Sequence, residues 1–163
     1  MEKINVIDRV KWKTLAVAVG VPLATGALAG LVTMGSMDDF ASLEQPPLSP
    51  PGWLFPVVWS ALYILMGIAS YIVFEAPAKE EEKAAAFKPY FLQLGFNFFW
   101  SIIFFNLGLH EVAFGWLLAM LALIVITTVR FGRIDRRAAY LMLPYIAWVA
   151  FAGYLNLGVA ILN

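Results

Sequence analysis

Five apolar stretches, each near the length that crosses a bilayer, divide this chain and restrict what it can become. A helix needs roughly 20 mainly apolar residues to span the hydrocarbon core. Residues 15–34, 53–74, 91–109, 112–131 and 140–162 meet that requirement. The fourth stretch tolerates Arg130 near its end, because a long aliphatic stem carries the guanidinium to the interface. Barrel strands would alternate apolar and polar residues, and a run such as 117–129 does not alternate. The expected fold class is therefore all-α, an integral membrane five-transmembrane-helix bundle, forming one membrane domain over residues 1–163.

Composition agrees with lipid as the solvent. Only 13% of residues are charged and 62% are hydrophobic, with a mean hydropathy of +0.80, whereas soluble domains carry about 25% charged residues. The 11 basic and 11 acidic side chains cancel, which leaves no basic field for nucleic acid. With no cysteine and one histidine, His110, disulfides, thiolate nucleophiles and thiolate metal sites are excluded. His110 has only Glu111 beside it, so no metal site is expected.

The basic residues predict an orientation. Lys3, Arg9, Lys11 and Lys13 precede the first span, Lys79, Lys83 and Lys88 separate the second from the third, and Arg130, Arg133, Arg136 and Arg137 separate the fourth from the fifth. The outer loop 37–52, the turn 108–111 and the C-terminus carry none. The positive-inside rule then places the N-terminus inside and the C-terminus outside, with a bacterial or archaeal cytoplasmic membrane as the expected location. A signal peptide ending near Ala27-Leu28-Ala29 is the rival reading of the N-terminus, and the continuation of the apolar stretch to Val32 counts against it. The run from Lys79 to Lys83 reads as a solvated loop.

Polar and aromatic residues sort onto helical faces. Trp59, Tyr63, Met66 and Ser70 share one face of the second span; Gln93, Asn97, Trp100 and Phe104 one face of the third; Tyr145, Trp148, Ala152 and Asn156 one face of the fifth. A buried amide in hydrocarbon must find a partner, so these faces look inward. Two readings stay open for them, interhelical hydrogen bonding and a cavity lined by rings for a flat apolar ligand. The outer loop Gln45-Pro46-Pro47-Leu48-Ser49-Pro50-Pro51-Gly52 is stiffened by its prolines. It reads either as a helix-start connector or as a lid over such a cavity. Trp12, Trp53 and Trp116 lie near span ends, where interfacial anchoring is the ordinary role. Gly26 and Gly30 form a GxxxG that serves packing within or between chains. No span carries a centrally placed acid for proton-coupled transport.

The stretch Pro46-Pro47-Leu48-Ser49-Pro50-Pro51-Gly52-Trp53-Leu54-Phe55-Pro56-Val57-Val58-Trp59, continuing through Leu62-Tyr63, resembles the loop and second helix of the TspO/MBR family, the tryptophan-rich sensory and translocator proteins. Gln93-Leu94 with Asn97, Trp100-Ser101 and Phe104-Phe105 resembles that family's third helix, and Pro144-Tyr145 with Trp148, Ala152 and Leu155-Asn156 its fifth. Gly20-Val21-Pro22 and Thr25-Gly26 fit its first. The resemblance implies a pocket, closed by the first loop, for tetrapyrroles such as protoporphyrin IX and haem, with sterols and benzodiazepine-type molecules as further ligands. No cofactor is required; porphyrin or haem enters as ligand.

The ligand-binding residues so expected are Phe40, Pro46 and Pro51 from the loop, Trp59 and Tyr63 from the second span, Gln93, Asn97, Trp100, Ser101 and Phe104 from the third, and Tyr145, Trp148 and Ala152 from the fifth. Two departures bear on selectivity: Leu48 stands where many members have Trp, and Phe40 where some carry an aromatic hydroxyl. No basic residue follows Tyr154, so the sterol motif of the fifth helix is not supported. Three functions follow from the resemblance and the residues. A tetrapyrrole receptor or carrier comes first. The alternative is an enzyme for light- and oxygen-dependent porphyrin breakdown, with Trp59 and Trp148 as redox candidates. A small drug-type transporter is the distant third, lacking the intramembrane acid and inverted repeat. The resemblance also implies a homodimer packed through the third span, whose flank carries Gly95, Phe98, Ser101, Ile102 and Phe105, with the Gly26–Gly30 pair of the first span as the rival interface.

Overall fold

The computed structural model describes residues 10–163, and these are helical with no strand. Lys3 and Arg9, counted above among the basic residues, lie outside the described residues. Five long helices, α1 (Trp12–Thr33), α3 (Leu54–Glu75), α4 (Glu80–Ser101), α5 (His110–Ile134) and α6 (Arg136–Leu162), are joined by short connections, and a short helix α2 (Met37–Ala41) opens the loop after α1. They close into a ring: α1 packs on α3 and α4, α4 on α5, α5 on α6, and α6 back on α3. Four helices are long and apolar enough to cross a membrane, the exception being α4.

The start of α4 differs from the sequence reading. The predicted span begins at residue 91 and the Lys79–Lys83 run was expected as loop, yet the helix begins at Glu80. Glu80, Glu81 and Glu82 fill its first turn, where carboxylates meet the positive end of the helix dipole. Lys83 closes the corner, its Nζ donating to the Phe74 carbonyl at 2.8 Å. At the far end α4 passes into a π turn over Ile102–Asn106. Gly108, at φ 62°, then takes the left-handed conformation that reverses the chain into α5.

The basic side chains of the described residues gather at one end. Lys11 pairs with Glu75 at 2.8 Å, Arg130 donates to the Ala85 carbonyl, and Asp135 caps α6 by accepting from the Arg137 backbone N–H at 2.8 Å. The Arg137 guanidinium also holds the Asp135 carboxyl below its usual range. The opposite end carries the proline-rich loop and is tied by neutral groups. Asn106 donates to the Val32 carbonyl at 3.1 Å, and Asn163 bonds both the N–H and the carbonyl of Glu44 at 3.0 Å.

Close helix approach is set by two glycines. A methyl at Gly67 would lie 2.4 Å from Val19 Cα, so α1 and α3 cross there backbone to backbone. A methyl at Gly26 would meet the Tyr63 ring at 2.1 Å, while Gly30 has nothing within 4 Å. The GxxxG of the first span is thus divided: Gly26 seats a core tyrosine and Gly30 faces outward.

Candidate functional site

The loop-side half of the ring interior holds the polar faces. Tyr63 Oη donates to Asn97 Oδ1 at 2.7 Å, and Asn97 Nδ2 donates to Tyr145 Oη at 3.0 Å. Tyr145 Oη in turn donates to Gln93 Oε1 at 2.7 Å, and Gln93 Nε2 reaches Met66 Sδ at 3.7 Å. This chain joins α3, α4 and α6 through buried groups only. A second link runs from Trp100 Nε1 to Asn156 Oδ1 at 3.1 Å and from Asn156 Nδ2 to the His110 carbonyl at 2.7 Å. Each of these amides bonds another helix, as polar groups facing a bundle interior must.

Aromatic rings surround the chain of hydrogen bonds. Trp59 lies 5.7 Å from Tyr63, 6.1 Å from Tyr145 and 6.4 Å from Trp100, between ring centroids. Trp100 stacks on Phe104 at 5.3 Å, and Phe40 reaches down from α2 to Phe104 at 5.6 Å. Trp148 packs edge-on against Phe55 at 6.0 Å and against Phe151 at 5.7 Å. Its indole Nε1 is buried and has no hydrogen-bond partner, unlike the polar atoms of the Tyr63–Asn97–Tyr145–Gln93 chain.

The loop is docked on the last turns of α6. Tyr154 Oη donates to the Pro47 carbonyl at 2.8 Å, and the Pro46 ring sits on Gly158, where a methyl would come within 2.5 Å of it. Pro46 is buried beneath the loop. Pro47 and Leu48 form the corner of a turn closed by Ser49 N–H to the Pro46 carbonyl at 3.3 Å. Leu48 holds φ 67°, the position of a type II turn that favours glycine.

Homology fits this arrangement. The TspO/MBR family model matches residues 18–162. The chain belongs to the TspO/MBR family. Among its relatives, the tryptophan-rich protein TspO of Chlorobaculum tepidum is 35% identical over 156 residues, covering 92% of this chain and 96% of that one. The protein of the same name from Archaeoglobus fulgidus is 36% identical over 147 residues, 86% of this chain and 91% of its own. The translocator protein of Bos taurus is 36% identical over 122 residues, with 72% and 70% covered. Family membership and the apolar helices together make this an integral membrane protein.

Of the residues that the TspO/MBR motifs single out, the structure brings Phe40, Trp59, Tyr63, Gln93, Asn97, Trp100, Phe104 and Tyr145 into one connected layer. Ala152 is buried one turn beyond Trp148. Pro51 is exposed, and Ser101 donates to the Asn97 carbonyl of its own helix at 3.4 Å, so neither joins the layer. The rings and amides touch one another. Trp116 departs from its expected role as an interfacial anchor. It stacks on Phe96 at 4.3 Å and donates to the Phe96 carbonyl at 2.8 Å, fastening α5 to α4. Trp12 and Trp53 remain 61% and 67% exposed, as anchors do.

Sequence reasoning missed Phe55, which packs on Trp148, and the pair Tyr154 and Gly158 that receives the loop. The signal for the pair was present: the two lie four residues apart on α6, hence on one face, below an outer loop too proline-rich to move freely.

Proposed function

We propose that this TspO/MBR member is a five-span receptor or carrier that binds protoporphyrin IX, haem and related flat hydrophobic ligands inside the helix ring, beneath the proline-rich loop. The observation that carries the reading is Trp148 Nε1, a donor-only group buried without an acceptor one helical turn along α6 from Tyr145 of the ring layer. Burying such a group unpaired costs about 1–3 kcal/mol. A planar ligand with carboxylate or carbonyl oxygens supplies the acceptor, and its face stacks on the indoles.

In this reading α4 also crosses the membrane, as the third of five spans. Its charges sit in the first turns, and its apolar residues continue through the π turn to Phe105. The N-terminus lies inside and the C-terminus outside a bacterial or archaeal membrane, since every basic residue of the described chain lies at the end away from the loop. Reporter fusions near Lys83 and after Asn163 test this, and a shared compartment for both overturns it. The chain pairs as a homodimer through the outer flank of α4. Single cysteines introduced at Phe98 and Ala27 distinguish that face from the Gly30 side of α1 by disulfide cross-linking in native membranes.

Titration of the purified protein with protoporphyrin IX in darkness tests the site. Trp148→Ala is expected to weaken binding by about 1–3 kcal/mol. Trp12→Ala, exposed at the opposite end of α1, is expected to leave it unchanged. Equal affinity in a folded Trp148→Ala variant overturns the placement. Loss of the Soret band with a defined product under light, abolished by changes at Trp59 or Trp148, turns the carrier reading into that of an enzyme.

A further inference from the structure

A cleft opens between α4 and α5 at the basic end of the ring. It encloses about 410 Å³ and is lined by Glu82 and Ala85 from α4 and by Arg130, Arg133 and Ile134 from α5. A proline prepares one wall of it. Pro89 stands inside α4 and lacks the N–H that would close on the Ala85 carbonyl. Arg130 supplies the missing donor from the neighbouring helix, its Nη1 bonding that carbonyl. The guanidinium is thereby held in place through a single nitrogen, and the rest of its fork is left for another acceptor.

Arg133 follows one turn later on the same face of α5 and is exposed. The carboxylate next to it in sequence, Asp135, is taken by Arg137 at 2.8 Å. Among the described residues Arg130, Arg133 and Glu82 enter no ion pair. Two like charges one turn apart repel, and Glu82 shares their cleft without neutralising either. Such a cleft suits a dipolar group, with an anion for the arginines joined to a cation for Glu82. Away from the charges α5 turns to lipid. Ile126 and Val129 lie one turn deeper than Arg130 and Arg133 and are 43% and 50% exposed, on a helix apolar enough to cross the membrane. The charged cleft therefore opens at the polar edge of the bilayer, above a strip that faces hydrocarbon.

We propose that the α4–α5 cleft holds the headgroup of phosphatidylethanolamine, with its phosphate between Arg130 and Arg133, its ammonium on Glu82 and an acyl chain along Ile126 and Val129. Guanidinium forks match phosphate oxygens, and basic pockets between membrane helices receive lipid headgroups. The cleft lies at the far end of the ring from the proline-rich loop, so the assignment is independent of what binds beneath that loop. It is also separate from the Gly95–Phe98 flank, which borders α1.

Native mass spectrometry of the full chain, released from micelles doped equally with phosphatidylethanolamine and phosphatidylcholine of the same acyl chains, tests this. The two lipids differ only at the headgroup nitrogen, and only ethanolamine brings N–H groups to Glu82. The wild type is expected to retain phosphatidylethanolamine about two- to fivefold over phosphatidylcholine, the value of an exposed ion pair. Glu82→Gln is expected to level the two lipids. Arg133→Gln is expected to lower both alike, since each brings a phosphate. Both side chains are exposed, so the melting temperatures of the lipid-free variants are expected to stay close to that of the wild type. A wild type without the preference, a Glu82→Gln variant that keeps it, or phosphatidylglycerol retained above phosphatidylethanolamine overturns the proposal. Soluble glycerophosphoethanolamine bound as firmly as the lipid overturns the membrane as its source.

Discussion

Helices α1 and α4 lie side by side in the ring and use their residues in opposite ways. The apolar α1 buries only Pro22, Ala29 and Thr33, while Val17, Val21, Leu28, Leu31 and Val32 look outward. The more polar α4 buries Gln93, Asn97 and Trp100 and bonds them to α3 and α6. In water the more apolar helix would occupy the core. In lipid the tails are as apolar as leucine, so association depends on close packing and interhelical hydrogen bonds. Polarity then marks the inside, and hydrophobicity marks only the solvent.

The largest expected effect attacks what α1 does contribute, its backbone. Gly67→Ala would push a methyl to 2.4 Å from Val19 Cα, where no side chain can rotate away. We expect a loss of about 3 kcal/mol, read as a lowered unfolding midpoint in detergent. Gly30→Ala, with nothing within 4 Å, is expected to stay within about 0.5 kcal/mol of wild type. Similar losses in both would mean that the α1–α3 crossing is not set where the structure puts it.

A smaller effect is expected from α4 and its partners. Tyr145→Phe keeps the ring but removes the hydroxyl that accepts from Asn97 and donates to Gln93. Two buried amides lose a partner, at a cost of about 1–2 kcal/mol. Tyr63→Phe, at the end of the same chain, strands only Asn97 Oδ1 and is expected to cost less. Thermal unfolding of the two variants and their double mutant measures the coupling. Additive losses would show that the chain of hydrogen bonds does not act as one unit.

This contrast also explains how much was legible in the sequence. Stretch length and helical spacing located the apolar segments and turned Gln93, Asn97 and Tyr145 inward, since unpaired amides cannot face lipid. Spacing within one helix says nothing about which group on a neighbouring helix answers it. The Tyr63–Asn97–Tyr145–Gln93 order and the partnerless Trp148 Nε1 therefore emerge only from the packed ring. The same limit applied to Trp116. Its position near a span end suited an anchor, but the carbonyl it bonds belongs to Phe96 on α4. The acidic start of α4 was read as loop because charge was weighed as solvation, while the dipole of the helix it begins gives the same charges a structural use.

The smallest expected effect has the opposite sign and concerns the loop that closes the ring. Leu48 is 81% exposed and holds φ 67° at the third position of its turn. A β-carbon in that conformation costs about 1–2 kcal/mol, which glycine avoids while bringing some extra freedom to the unfolded chain. Leu48→Gly is therefore expected to stabilise the docked loop by somewhat under 1 kcal/mol. The gain would be read as slower amide hydrogen exchange at Ser49, whose N–H closes the turn on the Pro46 carbonyl. Exchange that quickens would mean that the leucine side chain, and not the backbone, holds the turn. Gly158→Ala in the same assay separates turn from docking. It displaces Pro46 from α6 and is expected to speed exchange whichever residue stands at position 48, because the loop then loses the surface on which it rests.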